Sequence, residues 1–409
     1  MSDQWPSESG GRERRGNPAL TVVVILLLLN AGFTVFIFAY SNHYVGELRS
    51  YLTELRTEKS QLESRLSALD QEIQSLRSQI VLGGGNNTSE LVVLPKIYNL
   101  TRYSVVLIKS RLSGSTAQGS GFVYDKAGYI LTNYHVVQDA LSIEVTFIDG
   151  TVTQATVVGT DPYSDIAVVR VNVSSSILHP LPLGDSSELQ VGETVIAIGN
   201  PYGLSNSMTV GIVSQLEREL SAPGSYIIVD VIQTDAAINK GNSGGPMLNL
   251  DGEVVGMNTA ILTMTGEWQG IGFAIPSDTI RREVPELIQT GSYAHPLLGV
   301  QGTDLTPEIA HQMGLSNSTR GALIVAVTSG GPSVGILRGG TRTVTISGRE
   351  VKIGGDVIIE VEGQRVLAFY DVVLYIERNL HPNDQVTFKI LRGTETLTVD
   401  ITLGTRPAP

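Results

Sequence analysis

Cysteine is absent from the 409-residue chain, which excludes disulfides, thiol nucleophiles, iron–sulfur clusters and Cys-ligated zinc together. Histidine is scarce, with 6 residues and no H-E-x-x-H arrangement, so no metal site and no resident cofactor are expected. No glycine is followed by lysine, which removes a Walker-type phosphate loop. Positive charge is also short: 28 Lys and Arg stand against 40 Asp and Glu, a net charge of −12. Such a chain lacks the cations that displace counterions from phosphate, and no nucleic-acid partner is expected. Only 17% of the residues are charged and 42% are hydrophobic, enough apolar material for the cores of roughly two or three domains.

One long apolar run does occur. Leu20 to Tyr40 carries no charge, and Asn30 is its only markedly polar residue. At about 1.5 Å per residue the run reaches roughly 31 Å, the thickness of a bilayer core. It exceeds the apolar part of a signal peptide, and no A-x-A-like cleavage site follows it. An uncleaved membrane anchor over 20–40 is therefore expected, behind a tail at 1–19. Arg12, Arg14 and Arg15 precede it, and the next Lys or Arg is Arg49. This asymmetry puts the N-terminus in the cytoplasm and the rest outside. The sequons at Asn86, Asn87, Asn99, Asn172 and Asn317 all follow the anchor, in weak support of that orientation.

Residues 44–82 read as a coiled-coil stalk. Val45, Leu48, Leu52, Leu55, Lys59, Leu62, Leu66, Leu69, Ile73, Leu76 and Ile80 recur at alternating spacings of three and four, with Lys59 the one polar member. That period supercoils helices around each other and implies an oligomer about 54 Å long in its stalk. The series ends at Gly83-Gly84-Gly85-Asn86-Asn87-Thr88, the start of a flexible linker expected over 83–94.

Beyond residue 95 the pattern changes to short alternating strands between turn pairs. Ile143, Val145 and Phe147 alternate before Asp149-Gly150, and Met247-Leu248 and Val254-Val255 flank Asp251-Gly252. Helical periodicity is nearly absent from 100 to 275. Antiparallel barrels or a sandwich are expected.

Three segments in this region can carry chemistry: Asn133-Tyr134-His135, Asp161 to Val168 around Asp165, and Gly241-Asn242-Ser243-Gly244-Gly245-Pro246. A serine hydroxyl needs a base in reach, and the base needs an acid to fix its tautomer. Glycines beside the serine let consecutive N–H groups converge on an oxyanion. Each signal alone is weak. The last segment also fits G-x-S-x-G, the nucleophile elbow of α/β-hydrolases, in which Ser comes first. Here His and Asp precede Ser, the order of the chymotrypsin type.

Longer stretches carry a resemblance. Asn133-Tyr134-His135-Val136-Val137, Asp165-Ile166-Ala167-Val168, Gly199-Asn200-Pro201-Tyr202-Gly203, the run from Gln233 to Pro246 and Gly270-Ile271-Gly272-Phe273-Ala274-Ile275-Pro276 resemble the HtrA family of serine proteases. The resemblance covers roughly 95 to 405. It implies a mainly β fold: a chymotrypsin-like double antiparallel β-barrel at 95–290, then a PDZ-like domain at 294–404. It implies His135 as general base, Asp165 as its orienter and Ser243 as nucleophile. Gly241 and Ser243, with Asn242 between them, would form the oxyanion hole. Ile238, and by resemblance Ala260 and Ile261, would line an apolar substrate pocket. Leu297-Leu298-Gly299-Val300 would capture a peptide carboxylate.

The activity so implied is ATP-independent endoproteolysis of unfolded or damaged proteins outside the cytoplasm, by a homotrimer that also binds peptide C-termini. The rival is a chaperone or peptide-binding scaffold with an inactive protease domain. Two features depart from the family pattern. Lys240 stands where Pro is frequent, and the segment from Ser104 to Gly119 is too short for a long regulatory loop. Thr341 to Lys352 reads as an inserted hairpin.

Overall fold

The computed structural model describes residues 88–200, 206–221, 227–239, 241–259 and 270–407, with parts of a helix between 52 and 68. The apolar run 20–40, most of the heptad series and the glycines at 83–85 lie outside the described residues. The chain divides into two units, Met1–Asn87 and Thr88–Pro409. In the first, the described residues are helical, and the seam positions Leu52 and Leu62 are 49% and 61% exposed. Among the described residues no helix is long and apolar enough to cross a membrane.

The second unit opens with helix α1 (Thr88–Thr101), where the sequence suggested a linker as far as 94. The difference has a physical cause. Val93, Leu94 and the buried Ile97 share a helical face that packs on the core, and burial there outweighs the poor propensity of Pro95.

The first barrel contains β1 (Val105–Arg111), β2 (Thr116–Val123), β3 (Tyr129–Thr132), β4 (Ser142–Thr146), β5 (Val152–Asp161) and β6 (Ile166–Val171). Between β3 and β4 lies the short helix α2 (Tyr134–Val137). The strands close in the order β1-β2-β3-β6-β5-β4. The second barrel contains β7 (Thr194–Gly199), β8 (Ser207–Ser221), β9 (Ile227–Thr234), β10 (Pro246–Leu248), β11 (Val254–Thr259) and β12 (Gly272–Pro276). Its order, β10-β11-β12-β9-β8-β7, is the same path read from the other end. Barrel closure leaves no unpaired sheet edge.

Local sequence explains the connections. A tight turn joins β1 to β2, with the Leu112 N–H donating to the Ser115 carbonyl at 2.9 Å, so the short segment between Ser104 and Gly119 is taken up by strand and turn. Between β2 and β3, Asp125 Oδ1 accepts from the N–H groups of Ala127 (2.8 Å) and Tyr129 (3.1 Å), an Asx turn.

The two barrels share one core. Phe122, Leu131, Ile166 and Val168 from the first meet Ile196, Ile198, Leu248, Met257 and Ile275 from the second. Helix α3 (Ser277–Thr290) lays Ile280, Val284 and Leu287 on the same core and ends at Gly291, whose φ of +89° suits a left-handed cap.

The PDZ-like region contains β13 (Pro296–Leu297), β14 (Val300–Asp304), α4 (Pro307–Gln312), β15 (Ala322–Val327), β16 (Arg342–Ile346), β17 (Arg349–Ile353), β18 (Val357–Val361), β19 (Gln364–Arg365), α5 (Phe369–Asn379), β20 (Gln385–Arg392), β21 (Glu395–Thr402) and β22 (Gly404–Thr405). Strand β14 is at the edge of the sheet β14-β15-β18-β20-β21, and β16 and β17 form the expected separate hairpin. Helix α5 opens at Phe369, with Asp371 Oδ2 accepting from the N–H groups of Leu367 and Ala368. Val372 and Ile376 join the core, and Leu380 packs against it.

Candidate active site

Strand β3 ends at Asn133, and the chain turns into α2, which carries His135. The Asp165 carbonyl fixes this corner by accepting from Asn133 Nδ2 (3.1 Å) and from the Tyr134 N–H (3.1 Å). Asp165 adopts φ of +53°, a left-handed conformation that costs a non-glycine residue roughly 1–2 kcal/mol. Its hydrogen bonds hold it there. The Asp165 carboxylate accepts from the His135 N–H at 3.0 Å, and His135 Nδ1 lies 2.8 Å from Oδ2. Thr259 Oγ1, on β11 of the other barrel, donates to the same Oδ2 at 3.0 Å.

This geometry fixes the histidine chemically. Nδ1 must carry a proton to meet the carboxylate, which leaves Nε2 as the basic nitrogen. Burial lowers the His135 pKa, but the Asp165 charge and hydrogen bond raise it by more, so it ends above its usual value. The His135 side chain remains 31% exposed, whereas that of Asp165 is 6% exposed. The base therefore faces outward from a buried acid.

Ser243 lies on the turn before β10 and is 5% exposed. The Ser120 N–H donates to the Ser243 carbonyl at 2.7 Å, and Ser120 Oγ donates to the Gly241 carbonyl while accepting from the Asn200 N–H. One serine on β2 thus pins both ends of the turn. Gly244 has φ of +83°, and a Cβ there would meet the Ser120 carbonyl oxygen at 2.2 Å and Thr132 Oγ1 at 2.4 Å. Only glycine lets this turn sit against the end of β3, three residues before His135. Gly241 is also left-handed, with φ of +100°, and the Asn242 N–H is engaged by the Asn239 carbonyl at 2.9 Å.

The remaining expected residues are unevenly placed. Ile238 is buried and packs with Ala197, Ala236 and Gly272. Ala260, Ile261 and Lys240 lie outside the described residues. Nearby, Asp235 Oδ1 accepts from the Ile212 N–H at 2.7 Å and ties the end of β9 to β8. Leu297, Leu298, Gly299 and Val300 run from β13 into β14, with Gly299 at φ of +74° and the Leu298 carbonyl taken by Ser333 Oγ. Thr259 and Ser120 were missed in the sequence. Ser120 sits in Gly119-Ser120-Gly121, where glycines on a strand signal close backbone approach. Thr259 carries no comparable signal.

Among the described residues, one group of side chains is of metal-ligand type: Asp161, Glu283 and His295. His295 Nε2 and Asp161 Oδ2 are 2.6 Å apart, closer than the roughly 3.2 Å between neighbours around a tetrahedral ion with about 2.0 Å bonds. Arg282 adds positive charge beside Glu283. These atoms pair with one another instead.

Two closed barrels sharing one core, with a carboxylate-oriented histidine on the first and a glycine-flanked serine turn packed against the end of β3, define a trypsin-like peptidase fold. The family description "Trypsin-like peptidase domain" matches residues 119–257, and "PDZ domain" matches 296–403. "Protease Do-like 1, chloroplastic" of Arabidopsis thaliana is 39% identical over 290 residues, covering 71% of this chain and 64% of its own. A "Probable periplasmic serine endoprotease DegP-like" of Pseudomonas fulva is 36% identical over 342 residues, covering 82% and 67%. The solved structure "HtrA-type protease AlgW with tripeptide" aligns with a TM-score of 0.64 at 32% identity, covering 76% of this chain and 97% of its own. The chain belongs to the HtrA family of serine proteases. It spans between about half and two thirds of the length of the curated relatives it matches.

Proposed function

We propose that the protein is an ATP-independent serine endopeptidase that cleaves unfolded or damaged proteins outside the cytoplasm. The observation that carries this reading is the Asp165 carboxylate, which receives both the backbone N–H and Nδ1 of His135. A structural histidine needs no such double hold, and a scaffold with an idle protease domain gives no reason for it. In the reaction, His135 Nε2 takes the proton of Ser243 Oγ as the oxygen attacks the scissile carbonyl. The N–H groups of Gly241 and Ser243 receive the developing oxyanion, and His135 then passes the proton to the leaving amine. Acyl transfer to water completes the cycle, and no nucleotide enters it.

The location and assembly belong to the same proposal. The run 20–40 anchors the chain with its N-terminus in the cytoplasm, and curated relatives described as periplasmic support an exterior protease. The exposed Leu52 and Leu62 support a stalk completed by other copies, and a homotrimer fits the family. At the PDZ domain, the free edge of β14 beside Leu297 to Val300 suits a peptide C-terminus added as an extra strand.

The test is degradation of one model protein, unfolded and folded, by the full chain in detergent without nucleotide. Cleavage of the unfolded form alone is expected. Intact substrate in both forms, with the chain folded, would overturn the reading.

A further inference from the structure

At the boundary of the protease and PDZ regions, ionisable side chains from both meet out of water. His295 lies between α3 and β13 and is 4% exposed. Its Nε2 is 2.6 Å from Asp161 Oδ2, at the end of β5, and its Nδ1 is 2.9 Å from Glu377 Oε2, on α5. The rings of Tyr163 and Tyr293 close on the imidazole edge-on, at 5.2 and 4.9 Å. Behind Asp161 stands Glu283 of α3, wholly buried, with a carboxylate oxygen within 4.8 Å of one of Asp161. Glu283 Oε1 accepts from Ser164 Oγ (3.0 Å) and Arg282 Nη2 (2.9 Å), while Oε2 receives no donor among the described residues.

The other charged groups facing the cluster are few. Arg406 stacks on Tyr163 and lies 3.5 Å from Glu377. Glu286 of α3 neighbours Tyr293. Arg378 of α5 pairs with Asp230 of β9 and Glu217 of β8.

Two carboxyl groups this close out of water are not both ionised, and burial, then the Asp161 charge, leaves the proton on Glu283. An imidazole that meets a carboxylate at each nitrogen donates from both, so His295 is an imidazolium. The partners of Glu283 all belong to the protease domain, whereas His295 joins Asp161 of that domain to Glu377 of the PDZ region, so undocking releases His295. An exposed His gives up its second proton above its ordinary pKa. We propose that docking of the PDZ domain on the protease domain is a proton-binding step, in which His295 keeps its second proton only while the domains are together. Docking then tightens in mild acid and loosens as the solution turns alkaline.

The sign follows from each group. Burial and then the Asp161 charge push Glu283 up to about 8 from 4.5. Burial pulls His295 down, but its bonds to Asp161 and Glu377 bring it to about 10 from 6.5. A group whose docked value is raised weakens docking by up to about tenfold per pH unit between its two values. His295 acts between 6.5 and about 10, and there the docking constant falls by up to about tenfold per unit. Glu283 has its partners within the protease domain and adds no step of its own. Asp161 acts oppositely: burial raises it, its His295 contact holds it below its usual range, and its contribution is lost in strong acid. Asp230, raised by burial against its Arg378 partner, works in the same direction as His295 at the acid end. Asp161 begins the turn that ends on Asp165, so undocking removes its His295 bond from that turn.

The chain has no cysteine, so a Ser175→Cys, Thr394→Cys pair takes fluorophores at one exposed site in each domain. Energy transfer in the labelled full chain, diluted with unlabelled chain, reads the docked fraction from pH 5 to 10. We expect docking to fall as pH rises from 6.5 to about 10, with one proton released. His295→Gln should abolish that fall, and Glu377→Gln, which removes the carboxylate on the PDZ side, should move its upper end to lower pH. A docked fraction flat across the range in the wild type, or wild-type slopes in both variants, would overturn the proposal. If either variant fails to fold, the other decides.

Discussion

Thr259 Oγ1 donates to Asp165 Oδ2 at 3.0 Å, so a side chain of the second barrel holds the carboxylate of the first. Both residues are buried. Removing a donor to a buried charge costs about 1.5–3 kcal/mol, or roughly one to two orders of magnitude if it is felt in the transition state. Thr259→Val should therefore lower kcat by about tenfold to a hundredfold, and Thr259→Ser should restore most of it. Equal kcat in all three proteins would show that the cross-barrel contact is idle.

The pH profile tests the histidine. His135 acts as base only when neutral, and its pKa lies above 6.5 because the Asp165 contact outweighs burial. The acid limb of kcat/KM should rise with pH through a midpoint above 6.5. Asp165→Asn keeps the burial and removes the charge, so the limb should move to lower pH while the rate falls about 10⁴-fold. A limb that stays in place would separate His135 from Asp165.

The pocket that the family resemblance implies, Ile238 with Ala260 and Ile261, predicts an aliphatic specificity. An apolar pocket discriminates between aliphatic side chains by about 1–3 kcal/mol, and burying an unpaired cation costs several. Fragments of a denatured substrate should end mainly in Val, Ala, Ile or Leu, and Ile238→Ala should admit larger side chains. Mass spectrometry showing cleavage after Lys or Arg would overturn the pocket.

The strands were legible because turn pairs such as Asp149-Gly150 and Asp251-Gly252 punctuate clean alternation, a local signal. The His135, Asp165 and Ser243 segments were legible because each combines a reactive side chain with a turn or strand end in a diagnostic chain order. Helix α1 was not, since its apolar face is short and Pro95 argues against it; only the barrel core gives Ile97 a place. Thr259 and Glu283 were invisible for another reason. Their partners are 94 and 119 residues away, and no local pattern announces a contact of that range.

The central claim is that Ser243 is a nucleophile activated by His135 and Asp165. A fluorophosphonate reacts with an activated serine and is blind to substrate identity, location and assembly. The full chain should take up one phosphonyl group, mapped by mass spectrometry to Ser243, and Ser243→Ala and His135→Ala should take up none. A folded wild-type chain that stays unlabelled, or Ser243→Ala that labels like the wild type, would contradict the account.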